Sequence, residues 1–128
     1  MNTQYKIALA MLAGTAFGAA AIHGLHAQTK PPTYVVIAIQ KIIDAEAYKP
    51  LPVKGQAAAE AAGGHYLIRT GNITGLDGTP PARLALIKFD SVAKAQAWYN
   101  SAAQKEADVI RVKSTDSLAF IVEGVVAK

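Results

Sequence analysis

Between Arg83 and Ser101 the chain reads RLALIKFDSVAKAQAWYNS, and the order of side chains there leaves few folds open. Leu84 to Phe89 is apolar except for Lys88; so short an apolar run suits a strand buried on both faces, in the middle of a sheet. Asp90 or Ser91 then supplies a side-chain oxygen for a free N–H of a helix's first turn, so a helix is expected to begin near Val92. At helical spacing Val92, Ala95, Tyr99, Ala102 and Ala103 form one apolar stripe, with Trp98, the one tryptophan of the chain, at its edge. A ring at such an edge closes a pocket mouth, meets a partner subunit, or finishes the core.

A second run of this kind, Tyr34 to Ile39 (YVVIAI), reads as another central strand. Asp44 to Tyr48 reads as a helix start capped by Asp44. Pro50 and Pro52 interrupt it before an Ala-rich helix resumes from Val53 to Ala62, and Gly63-Gly64 ends that. His65 to Thr70 alternates as a third strand with one less buried face, expected to continue through Ile73 and Leu76 into a hairpin turn at Asp77-Gly78. After the second helix, Asp108 to Ser117 reads as polar and irregular, and Leu118 to Val126 as the last strand. The order is β-α-β-β-α-β, an α+β ferredoxin-like arrangement with two helices on one face of a four-stranded antiparallel sheet. Because the strands read as apolar on both faces, the second face is expected to be buried in a homodimer.

Ahead of the domain, Met1 to Lys6 carries a positive charge, Ile7 to Ile22 is uncharged and apolar, and Ala27 offers a small residue. That is the layout of a signal peptide over residues 1–27, which places the mature protein in the periplasm or outside the cell, without stable membrane insertion after cleavage. The apolar run is shorter than the roughly 20 residues of a membrane span, although an uncleaved anchor is the alternative. Residues 28–32 form a linker with Pro31 and Pro32, and 33–126 the domain. Cleavage removes Lys6 from the 13 basic residues, leaving 12 against 9 acidic ones, a net charge of +3. These charges are scattered singly, so nothing resembles a nucleic-acid footprint. The absence of Cys excludes disulfides, thiolate metal sites, iron–sulfur clusters and a cysteine nucleophile. With His65 the single histidine after the leader, no metal site or cofactor is expected.

The ordered set Tyr34-Val-Val-Ile-Ala, Asp44-Ala-Glu-Ala-Tyr48, Gly63-Gly64-His-Tyr-Leu-Ile-Arg69, Pro80-Pro81-Ala-Arg83, Lys88-Phe89-Asp-Ser91, Ala97-Trp98-Tyr99-Asn-Ser101 and Arg111 resembles the domain-of-unknown-function family 1330 of the dimeric α+β barrel superfamily. The resemblance covers about residues 33 to 126. It implies a swapped or side-by-side dimer whose sheets form a barrel, with a small cavity between sheet and helices, and it leaves the biochemical role open. Two departures touch the expected cavity wall. Gln104-Lys105 stands where such proteins tend to carry a Tyr-Gln pair after the serine, and the Pro50 and Pro52 pair distorts a helix that is ordinarily continuous.

The chemistry-bearing candidates are Arg69, Arg83 and Arg111, with His65, Tyr48, Trp98 and Tyr99. An Arg in a cleft holds a carboxylate or enolate bidentately; the structural alternative is a salt bridge or a solvated strand end. Whether Arg69 and Arg83 converge is not decided by their spacing. Histidine as a residue type is a general base near neutral pH, but His65 follows two glycines at a strand start, where exposure is the default. Two functions follow. One is a binding protein for a small apolar or aromatic acid, held between Trp98 and an Arg; the alternative is a cofactor-free monooxygenase- or isomerase-like enzyme.

Overall fold

The segment Tyr34 to Ile39 lies within β1 (Thr33–Ile42), the strand on which the sheet is built. In the computed structural model, which describes residues 30–126, β1 pairs on one side with β3 (Arg83–Phe89) and on the other with β4 (Thr115–Glu123). β2 (His65–Thr70) adds to β3, so the antiparallel order is β2-β3-β1-β4. This is the expected ferredoxin-like arrangement. Residues 32–124 make one unit; Lys30, Pro31, Val125 and Val126 fall outside it. The expected signal peptide and the first residues of the linker lie outside the described residues.

Four helical segments connect the strands: α1 (Ala45–Tyr48), α2 (Leu51–Ala61), α3 (Val92–Tyr99) and α4 (Ala102–Ser114). Asp44 caps α1 by accepting from Ala47 N at 3.1 Å. Pro50 and Pro52 sit at the start of α2, where the missing N–H costs nothing. Gly63, at φ +85°, supplies the left-handed residue after α2. Ser91 caps α3, accepting from Lys94 N at 3.1 Å.

Register fixes the layers. Val35 faces Ile87 across the β1–β3 ladder, and Phe89 follows two residues on, so the three share one sheet face. Ala59 of α2 with Ala95 and Trp98 of α3 close on that face to form the core. On the opposite face Val36 lies between Leu86 and Phe120. There Leu118, Phe120 and Val122 are exposed, although each is apolar.

Three expectations are corrected. Asp108 to Ser117 is not irregular: α4 runs to Ser114 and β4 begins at Thr115, three residues before Leu118, and ends at Glu123 rather than Val126. The helix escaped notice because its buried stripe is polar (Gln104, Asp108, Arg111 and Ser114 beside Ala107), while Val109 and Val112 face outward. The β2 strand stops at Thr70, whose Oγ1 accepts from Asn72 N at 2.9 Å, and residues 71–82 are a loop. Three glycines and the prolines Pro80 and Pro81 there deny a ladder its side chains and donors.

The third correction is the register of α3. The expected stripe treated Val92 to Ala103 as one helix, but Asn100 and Ser101 break it. Ala95 and Trp98, three apart, form the inner face, and Trp98 is only 2% exposed, whereas Tyr99 is 38% exposed. Trp98 belongs to the core, and Tyr99 lies at the margin.

Candidate functional site

Where the far ends of β1, β2 and β3 pass beneath the helices, the packing leaves a cavity of about 80 Å³. Ile37 and Ile39 form its floor, Tyr48 and Leu51 one wall, and Trp98 with Gln104 and Arg111 the other. The sheet register carries Arg69 and Arg83 to the same place. Arg69 is opposite Ala85, two residues from Arg83, and Arg83 is opposite Ile39. The two arginines left undecided by the sequence therefore both line the cavity.

The three arginines are held differently. Arg69 lies over the Tyr66 ring, 5.4 Å from its centroid, and donates through Nη2 to Pro52 O at 2.9 Å and through Nη1 to Gln56 Oε1. These bonds bind β2 to α2. Arg83 is half-buried and pairs with no carboxylate among the described residues. Arg111, 7% exposed, donates through Nε to Asp108 Oδ1 at 3.2 Å and through Nη1 to Ser117 Oγ at 2.8 Å. Thr115 Oγ1 reaches the same Ser117 Oγ at 2.9 Å and Arg111 O at 2.6 Å. A buried guanidinium held at Nε and Nη1 in this way is rigid.

Gln104, 3% exposed, donates through Nε2 to Asp108 Oδ1 at 3.0 Å. Its Oε1 is buried without a partner among the described residues, and so is Trp98 Nε1. Tyr66 also lines the cavity. Burial pushes its phenol above its ordinary value, with the Glu60 charge adding and the Arg69 charge opposing, so it stays protonated at neutral pH.

Tyr48, Arg69, Arg83, Trp98 and Arg111 thus come together; His65 and Tyr99 do not. His65 is exposed at the start of β2, opposite Lys88. Tyr99 packs its ring 6.0 Å from Trp98 on the outside, under Lys105 Nζ at 4.4 Å. Gln104, which the sequence marked only as a lost aromatic, is a lining residue. Its signal was the spacing Gln104, Asp108, Arg111, one helical face of polar residues. Among the described residues no group of three or more metal-ligating side chains gathers at one place, and no helix is long and apolar enough to cross a membrane.

The sequence matches the family described as Domain of unknown function (DUF1330) over residues 32–125. In structure the chain is similar to a protein of unknown function from Rhodopseudomonas palustris, with 14% identity, 75% of this chain and 84% of that chain covered, and a TM-score of 0.59. It is also similar to the solution structure of a hypothetical protein from Arabidopsis thaliana, with 14% identity, 77% and 92% covered, and a TM-score of 0.56. At such identities the likeness is one of fold. No curated protein matches the chain.

Proposed function

The chain belongs to the family Domain of unknown function (DUF1330), and from that premise we propose that it is an exported homodimer that holds a small apolar or aromatic acid in the cavity between sheet and helices. The observation that carries this reading is the composition of the lining: Arg69, Arg83 and Arg111, of which Arg111 alone pairs with a carboxylate among the described residues, around an otherwise mainly apolar space that ends on Trp98. Guanidinium groups at the mouth and wall of a pocket favour an anion, and the apolar walls favour a hydrocarbon body behind it. The enzyme alternative needs a base facing the cavity. His65 lies elsewhere, and burial keeps Tyr66 protonated. The apolar outer face of the sheet supports the dimer, and the layout of residues 1–27 supports export.

Trp98 is the one tryptophan and lines the cavity, so its fluorescence reads occupancy directly. Titration with phenylacetate and propionate is expected to give a saturable change, and phenethylamine, of similar size and opposite charge, none. Equal responses to acid and amine, or none to either acid, refute the acid reading. Export is tested by intact mass: chain recovered from the periplasm should begin at or near Gln28, and full-length chain confined to the cytosol refutes it.

A further inference from the structure

Resting on the acid reading above, we infer that the ligand is a hydroxy acid, whose hydroxyl is recognised by Gln104 Oε1 and Trp98 Nε1. Both atoms are buried, both are without a partner among the described residues, and both residues line the cavity. They are complementary in kind: the indole N–H only donates, and the amide oxygen only accepts.

The orientation of the Gln104 amide is fixed by its neighbour. Nε2 donates to Asp108 Oδ1 at 3.0 Å, and Arg111 Nε donates to the same oxygen at 3.2 Å. Turning the amide over would set its oxygen against the carboxylate oxygen, so Oε1 is held away from Asp108, with its lone pairs unused. Trp98 is held as firmly, its ring 5.3 Å from that of Phe89 and its backbone oxygen accepting from Ser101 Oγ at 2.7 Å. Neither group can turn to find a partner in the protein.

A buried polar atom left without a partner destabilises a fold by about 1–3 kcal/mol, so two of them on residues that line one small cavity are accounted for if a ligand there completes the bonding. A plain carboxylate supplies acceptors only; it serves Trp98 and the arginines but leaves Gln104 Oε1 bare. A hydroxyl donates its proton to Gln104 Oε1 while its oxygen accepts from Trp98 Nε1, and the carboxylate beside it takes the free positions of Arg83 and Arg111. Sites with a buried group built for a hydroxyl reject the analogue that lacks it.

The test uses matched pairs on the full chain by calorimetry: mandelate against phenylacetate, and lactate against propionate. At least one hydroxy acid should bind about tenfold or more tighter than its deoxy partner, the worth of one well-placed hydrogen bond. Gln104→Leu should remove that preference, bringing the hydroxy acid's affinity to that of its deoxy partner. Trp98→Phe, which keeps the ring and removes the N–H, should narrow it as well, so the inference survives a folding failure of either variant. Equal affinity within both pairs overturns the hydroxy-acid inference and leaves the acid reading standing. Absence of binding by all four acids overturns both.

Discussion

Replacing Trp98 and its neighbour Tyr99 by alanine, one at a time, measures which side of α3 faces the core. A buried indole takes roughly 200 Å² from water, worth about 5 kcal/mol at about 25 cal/mol per Å², and that figure is an upper bound because unfolded chains are partly compact. Two features reduce it. The ring borders the cavity, so one side lacks packing partners already, and removing the unpartnered Nε1–H relieves about 1 kcal/mol. Trp98→Ala is therefore expected to destabilise by about 3 kcal/mol, the low end for emptying an aromatic site. Tyr99 is 38% exposed and buries correspondingly less on folding. Its contact with Lys105 is of the exposed kind worth about 0.5–1 kcal/mol, so Tyr99→Ala should cost about 1–2 kcal/mol. Urea melts followed by circular dichroism, which does not depend on the indole, give both values. A loss at Tyr99 equal to or greater than that at Trp98 refutes the register and, with it, the cavity wall.

A Cβ on Gly64 would lie 2.8 Å from Phe89 Cζ, 2.9 Å from Ile87 Cγ2 and 3.0 Å from Ala59 O, so Gly64→Ala should lose about 1–3 kcal/mol in the same melts. Gly55→Ala meets nothing within 4 Å in the interior of α2 and should gain about 1 kcal/mol. Because burial raises the Tyr66 phenol above its ordinary value near 10, its contribution is fully present below about pH 10 and is lost as pH rises through the folded value. The stability difference between wild type and Tyr66→Phe, from urea melts at neutral and strongly alkaline pH, should change accordingly; an unchanged difference contradicts the burial argument. Phe120→Asp places a charge on the apolar outer face of β4, and light scattering with size-exclusion chromatography should show the wild-type dimer falling to a monomer, whereas a monomeric wild type removes the dimer.

The sheet was legible where apolar runs and caps coincide. β1 and β3 stand where Tyr34 to Ile39 and Leu84 to Phe89 put them, and Asp44, Ser91 and the Pro50–Pro52 break each act as their chemistry dictates. Legibility failed where burial and polarity part company. Reading polar residues as surface hid α4 beyond Ala103, whose inner face stays polar because Gln104 and Arg111 both donate to Asp108 and Arg111 also donates to Ser117. The same assumption hid Gln104 from the candidates. The arginines were visible as types, but their meeting depends on strand register between β2 and β3, a long-range quantity that no local spacing contains. The placement of Trp98 failed for a smaller reason: a serine two residues past the helix end restarts the helical count.

That serine has a wider effect. Ser101 Oγ donates to Trp98 O at 2.7 Å and accepts from Gln104 N at 3.2 Å, so one hydroxyl is the pivot between the two residues whose side chains carry the unused donor and acceptor. The backbone placement of Trp98 relative to Gln104 is thus set in part by a residue outside the cavity lining. Under the acid-binding proposal, a change at Ser101, or in the length of the corner around it, would alter ligand preference while every lining residue stayed the same, and a survey restricted to the cavity walls would miss the cause.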